Sequence, residues 1–196
     1  MDNKLNIALI QSDLVWENPE QNRDNFTKKI DNIKEEVDVV ILPEMFTTGF
    51  TMNAETVAET MDGETVSWMK ELASKTDAAI VGSIVISENN KFYNRLLFVE
   101  PSGFISYYDK RHTFTLLKAR AIENMCYCIG VNRVGVDGVN SLYSGHSAVY
   151  DVLGEVITSF KPNEEDTQIV TLEKRHIQAY RNKLKFLDDR DTFSIT

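Results

Sequence analysis

The sequence predicts an α/β fold, and three observations carry that reading. Apolar runs of strand length alternate with stretches of helical spacing from the N-terminus onward. The apolar run Val37 to Leu42 is followed at once by a carboxylate, Glu44, as at the ligand end of a parallel sheet. Turn signals then separate the later strands at short intervals. At 196 residues, 42% hydrophobic and 26% charged, the chain suits one globular domain, 1–196.

Leu5 to Ile10 reads as a buried strand. Asn18-Pro19-Glu20-Gln21 starts a helix, with Asn18 as N-cap, Pro19 at the first helical position and Gln21 reaching back. Phe26, Ile30, Ile33 and Val37 give that helix one apolar stripe. Val37 to Leu42 is the second strand, so strand, helix and strand form a crossover unit on a covered sheet. Asp62-Gly63-Glu64 opens another helix, with Val66, Met69, Leu72 and Ala73 inward. Ala78 to Ile86 is a third strand, and Glu88-Asn89-Asn90-Lys91 a hairpin turn. Phe92 to Glu100 and Phe104 to Asp109 flank the Pro101-Ser102-Gly103 turn. A helix from Leu116 to Asn124 precedes a strand from Met125 to Asn132. Strands are expected around Gly145 to Tyr150, Val156 to Phe160 and Gln168 to Leu172, then a helix from Glu173 to Leu184 and a polar tail.

The net charge of −9 and pI near 4.9 repel phosphate backbones and anionic lipid, which argues against nucleic-acid and membrane partners. No apolar run approaches the roughly 20 residues of a spanning helix, and the N-terminus shows no export signal, so a cytoplasmic small-molecule protein with reduced thiols is expected. Cys126 and Cys128 stand two apart, on one side of a strand, and read as buried packing residues. The histidines, His112, His146 and His176, are scattered, with no metal-ligand spacing; no cofactor is implied.

Two strand ends carry candidate chemistry. Leu42-Pro43-Glu44-Met45-Phe46 sets a carboxylate just past a buried strand, where ligands collect in α/β sheets. Tyr107-Tyr108-Asp109-Lys110-Arg111-His112 does the same for a lysine. Alone, the first motif fits a solvated strand end as well as a site, and the second fits a solvated strand end better; the two together on one sheet point to a site.

Leu42 to Phe50, Tyr108 to His112, Lys118 to Asn124, Tyr143 to Ser147 and Phe186 to Asp191 together resemble the nitrilase superfamily of carbon–nitrogen hydrolases, and within it the omega-amidases. The resemblance spans nearly the whole chain. It implies an α-β-β-α sandwich of two mixed sheets with outer helices, and a Glu-Lys-Cys site supported by a second Glu. Glu44 would be the general base and Lys110 the oxyanion stabiliser. A cysteine would attack a small carboxylic-acid amide, releasing ammonia through a thioester. A homodimer without cofactor is also implied.

The match breaks after Lys110. The family's second Glu and nucleophilic Cys belong to a segment absent near 114–116, where Arg111-His112-Thr113-Phe114-Thr115 runs straight into the next helix. The sequence therefore allows an amidase whose catalytic segment lies outside these residues, or a catalytically inactive binding or dimerisation relative. The first reading predicts Glu44 and Lys110 in one pocket, within about 4 Å or bridged by one water, and a spatial gap between His112 and Lys118.

Overall fold

The computed structural model describes residues 3–109 and 117–185. The expected gap after His112 and the Phe186 to Asp191 stretch therefore fall outside the described residues. Among these, ten strands and five helices occur. The main sheet takes β1 (Lys4–Gln11), β2 (Val39–Ile41), β3 (Ala79–Glu88), β4 (Lys91–Val99), β5 (Ile105–Asp109) and β10 (Asp166–Glu173), in the order β10-β1-β2-β3-β4-β5. β1, β2 and β3 run parallel, and the remaining pairings are antiparallel, so the sheet is mixed.

Period-two alternation divides the core between the two faces of this sheet. Ala8, Ile10, Val40, Ile80, Ile84 and Leu97 face one way, onto Phe26 and Ile30 of α1 (Pro19–Asp31) and Val66, Met69 and Leu72 of α3 (Glu64–Thr76). Ile7, Leu9, Val39 and Ala79 face the other way, onto Ile129 of β6 (Cys128–Gly130) and Val149 of β9 (Ala148–Tyr150). β6 and β9 pair antiparallel, and α4 (Leu117–Asn124) covers them from outside. A Cβ at Gly130 would lie 2.4 Å from Leu117 of that helix, so the close approach requires glycine. α5 (Lys174–Leu184) docks on the same outer layer, where Arg181 donates to Met125 O and His176 meets Asp151. The order helix, sheet, sheet, helix is the expected sandwich. Its second sheet is represented by the β6–β9 pair and a separate hairpin of β7 (Val134–Val136) and β8 (Leu142–Ser144).

Local signals were mostly sound. Asn18 caps α1 by accepting the Gln21 N–H, and Asn89 and Asn90 both take positive φ in the two-residue turn between β3 and β4. Three boundaries differ. β2 starts at Val39, although Asp38 already bonds through its backbone to Asn6 O (2.8 Å) and to the Ala79 N–H (2.9 Å) while its carboxylate accepts the Asn6 N–H of β1 (2.6 Å). The strand expected over Met125 to Asn132 shrinks to Cys128–Gly130. Val156 to Phe160 forms a single bridge, since Thr158 and Gln168 side chains take the Val149 and Ser159 N–H groups there. The short α2 (Ala54–Val57), β7 and β8 had no sequence signal strong enough to announce them. Among the described residues no helix is long and apolar enough to cross a membrane.

Candidate active site

Glu44 sits half-buried in the turn that leaves β2. That turn is tightly held. Met45, at a positive φ of 48°, donates its N–H to Ser83 Oγ on β3 (2.9 Å), and Phe46 N–H reaches Ser83 O (3.2 Å). The Phe46 ring packs between Phe26 and Trp68, on a bed made by Gly82, where a Cβ would come within 2.7 Å of the ring. Buried Asn22 of α1 donates to Thr47 O and Val15 O and accepts the Val15 N–H, tying the turn to the helix. The backbone around Glu44 is therefore fixed by buried hydrogen bonds.

Asn94 of β4 donates through Nδ2 to Glu44 Oε1 (2.8 Å). Its Oδ1 is buried and has no hydrogen-bond partner among the described residues, a state that costs about 1–3 kcal/mol when uncompensated. The next residue, Arg95, points to the opposite face and is almost wholly buried. It donates to Asp109 (2.6 and 3.0 Å) and to Glu88 (3.1 and 3.4 Å), with its guanidinium over the Tyr107 ring. The Asp109 hydrogen bond, opposed by burial and helped by Glu88, holds the Arg95 pKa above its ordinary value. Asp109 immediately precedes Lys110. Lys110 itself, and so its distance from Glu44, lies outside the described residues.

Tyr143 of β8 stands near enough to feel the Glu44 charge. Burial pushes its phenol pKa up, and its hydrogen bond to Asp137 (3.2 Å) and the Asp137 and Glu44 charges add to this. Burial also works to raise the Asp137 pKa. The Ser141 and Val139 N–H donors and the Tyr143 hydroxyl outweigh it and leave that carboxyl below its ordinary range. Buried Arg133 lies over the Tyr143 ring and pairs with Asp13 (2.8 Å).

The sheet face that carries Asn94 is open toward its β5 edge: Phe98 is 38% and Tyr108 61% exposed. β5 is the last strand of the sheet order. Two surface clefts, of about 460 and 540 Å³, lie elsewhere, around Arg23 and Glu59 and around Lys70 and Pro101.

The cysteines depart from expectation. Cys126 and Cys128 do share one side, with sulfurs 4.0 Å apart, but both are half-buried rather than buried. They lie beside α4, where the Cys126 N–H donates to Ala121 O (3.1 Å). Burial, reinforced by Cys126 and Glu123, pushes the Cys128 thiol up to about 11. His146 meets Ser144 Oγ (2.9 Å) and His176 meets Asp151 Oδ2 (3.2 Å). Among the described residues no three His, Cys, Asp or Glu side chains come together to hold a metal.

The sequence reading gave no site role to Asn94, Arg95 or Ser83, and took Tyr143 only as part of the Tyr143 to Ser147 motif. The available signal was the polar pair Asn94-Arg95 inside an otherwise apolar strand, where burial demands partners.

The carbon–nitrogen hydrolase family model matches residues 6–115 and 112–182. Omega-amidase YafV of Yersinia enterocolitica is 31% identical over 252 aligned positions, covering 96% of this chain and 98% of that protein. A 2-oxoglutaramate amidase of Bacillus subtilis is 31% identical over 117 positions, covering 58% of this chain and 45% of that one. Among solved structures, a CN-hydrolase superfamily protein of Xanthomonas campestris with an arsenic adduct in its active site superposes with a TM-score of 0.92. Its identity is 30%, over 98% of this chain and 99% of that chain. The nitrilase-type sandwich is thereby established, and the similarity is to amidase-type hydrolases.

Proposed function

Because the chain belongs to the carbon–nitrogen hydrolase family, we propose that it is built for omega-amidase-like chemistry, the hydrolysis of a small carboxylic-acid monoamide to the acid and ammonia. Glu44 is the general base and Lys110 the cation that stabilises the oxyanion. The nucleophilic cysteine and second glutamate belong to a segment that relatives carry near 114–116 of this chain. In that chemistry a thiolate adds to the amide carbon, the nitrogen leaves as ammonia with a proton relayed by the base, and water cleaves the thioester. Neither metal nor organic cofactor takes part, and a cytoplasmic homodimer completes the reading.

The observation that carries the proposal is Glu44 itself: a carboxylate at the exit of a parallel strand, in a turn fixed by Ser83 and Asn22 and held by Asn94. Two findings support the absent segment. The alignment to the Yersinia protein runs over 252 positions against 196 residues here, so at least 56 positions (252 less 196) face no residue of this chain. The two stretches of the family match meet at 112–115, just after the open edge at β5.

The second reading, a catalytically inactive binding or dimerisation protein, is favoured by the thiols: among the described residues Cys128 feels Cys126, Glu123 and Arg120, whereas Glu44 is met by Asn94 and its charge is felt by Tyr143. Ammonia release from succinamate separates the two. The 196-residue chain releases none above its Glu44→Gln variant. A chain carrying the Yersinia segment inserted at 114–116 does release it, and loses it on Glu44→Gln. A folded but silent grafted chain refutes the amidase reading and leaves the second.

A further inference from the structure

Cys126 and Cys128 are the two thiols of the chain, and the fold sets them side by side. Their sulfurs lie 4.0 Å apart, and both residues keep partial contact with solvent. Each is anchored by its own backbone. The chain leaves α4 through left-handed Met125 (φ 46°), with Met125 N–H donating to Ile122 O (3.2 Å) and Cys126 N–H to Ala121 O (3.1 Å), the paired bonds of a Schellman ending. Arg181 of α5 donates to Met125 O (3.0 Å) and closes that corner. Cys128 is fixed on β6 by its pairing with Tyr150 of β9. Between the two, Tyr127 turns the other way, into the core, where its hydroxyl accepts the Glu173 N–H (3.4 Å).

The spacing decides what the pair suits. A disulfide needs sulfurs about 2.05 Å apart, so a direct bond pulls against both the α4 ending and the β6 ladder. One interposed ion does not. With metal–sulfur bonds of roughly 2.3 Å, two bonds end to end span about 4.6 Å, so an ion touching both sulfurs sits slightly off the line between them. Thiolate sulfur selects soft ions: monovalent copper, zinc and iron–sulfur centres. Zinc and iron–sulfur centres call for four ligands, and among the described residues no third His, Cys, Asp or Glu joins the pair. Monovalent copper, a soft closed-shell ion of low charge, is satisfied by two sulfurs. Burial, Cys126 and Glu123 disfavour the bare Cys128 thiolate and Arg120 favours it; a bound cation adds to the Arg120 side.

We propose that Cys126 and Cys128 form a two-sulfur site for one monovalent copper ion at the junction of α4 and β6. The ion displaces both thiol protons to solvent, forms two copper–sulfur bonds and keeps its oxidation state. The site is separate from Glu44 and independent of the amidase reading.

The test uses the whole 196-residue chain, reduced and kept from air, with monovalent copper supplied as its bicinchoninate complex. The parent is expected to take one ion per chain from the chelator and to release both thiol protons near pH 7.5. Cys126→Ser and Cys128→Ser are expected to weaken uptake by more than the roughly 10–100-fold that a lost supporting residue costs a metal site. Zinc ion, presented with its own indicator, is expected to stay with the indicator. Uptake undiminished in either serine variant overturns the proposal, as does one ion shared between two chains. The proton count in the parent stands even where a serine variant fails to fold, and release of fewer than both thiol protons per ion overturns the proposal. Zinc held as tightly as copper overturns the choice of ion. Glutathione disulfide is expected to leave both thiols free; their loss in a chain two hydrogens lighter shows that the sulfurs close on each other and overturns the argument from spacing.

Discussion

Arg95 and Asp109 form a two-point clamp between β4 and β5: Nε to Oδ1 at 2.6 Å and Nη2 to Oδ2 at 3.0 Å, with the guanidinium almost wholly removed from water. Glu88, at the end of β3, takes the remaining edge. One buried cation in the middle of β4 thus gathers the ends of β3 and β5, and Asp109 lies one residue before Lys110. Arg95→Met leaves two carboxylates facing each other without their cation. Removing one partner of a buried pair costs 3–5 kcal/mol, but Asp109 and Glu88 keep contact with water, so a loss of about 2–3 kcal/mol is expected in urea unfolding. A loss below about 1 kcal/mol would make the clamp a surface ion pair in all but appearance.

Gly145 is tied in the same way to Gln11. Its φ is +81°, and a Cβ there would lie 2.4 Å from the Gln11 side chain. Gln11 is wholly buried, donating to Lys161 O (3.1 Å) and Glu164 O (2.8 Å) and accepting the Ser147 N–H (3.0 Å). It cannot step aside without stranding those groups. Gly145→Ala is expected to cost about 2 kcal/mol or more, from left-handed strain and overpacking together. In a double-mutant cycle with Gln11→Ala the losses should fall short of additive by about 1 kcal/mol, since the shorter side chain removes the collision. Strict additivity would show that the two do not touch.

What was legible in the sequence is what is local or periodic. The Asn18 cap, the Asn89-Asn90 turn and the inward set Val66, Met69, Leu72 and Ala73 depend on neighbours within a turn or two, and all appear as read. Glu44 was legible because the end of a parallel strand is a general location for chemistry. Its partners were not. Asn94 lies 50 positions from Glu44, and Ser83 lies 38 from Met45, which it holds, on strands whose adjacency only the sheet order reveals. The half-exposure of the cysteines was misread for a related reason. Spacing set them on one side of a strand, but how far α4 covers that side is a matter of packing.

The cysteine pair makes pH a probe of the outer layer. The Cys128 thiol is held as SH up to about pH 11 by burial and by its neighbours Cys126 and Glu123. The unfolded chain loses this proton near pH 8.5, so between those values the folded state binds more protons and stability falls as pH rises. Below the lower value the group contributes no slope. Urea midpoints are expected to drop between about pH 8.5 and 10.5 more steeply in the parent chain than in Cys128→Ser. Thiol labelling at pH 7.5 should be slow for Cys128 despite its partial exposure, because the thiolate is scarce. Rapid labelling there would contradict the raised value.

Ser83 gives the sharpest structural test of the Glu44 turn. Met45 adopts a left-handed φ of 48° with a full side chain, a conformation that persists only where the surroundings impose it. The imposing group is the Ser83 hydroxyl, which accepts the Met45 N–H (2.9 Å) inside the fold, while Phe46 N–H reaches the Ser83 carbonyl. Ser83→Ala keeps the carbonyl and removes the hydroxyl, so one buried N–H loses its acceptor at a cost of about 1–3 kcal/mol. Met45 then relaxes, and Glu44, one residue earlier, moves relative to Asn94. Ile80→Val, on the same strand but facing the helices, serves as the packing control, with an expected cost of about 1 kcal/mol. Both variants should lower the urea midpoint. Ser83→Ala alone should disturb the Asn94 side-chain NH₂ signals, because it alone loosens the turn that presents Glu44. If Ser83→Ala stays within about 0.5 kcal/mol of the parent and leaves those signals in place, the turn is held by something other than Ser83.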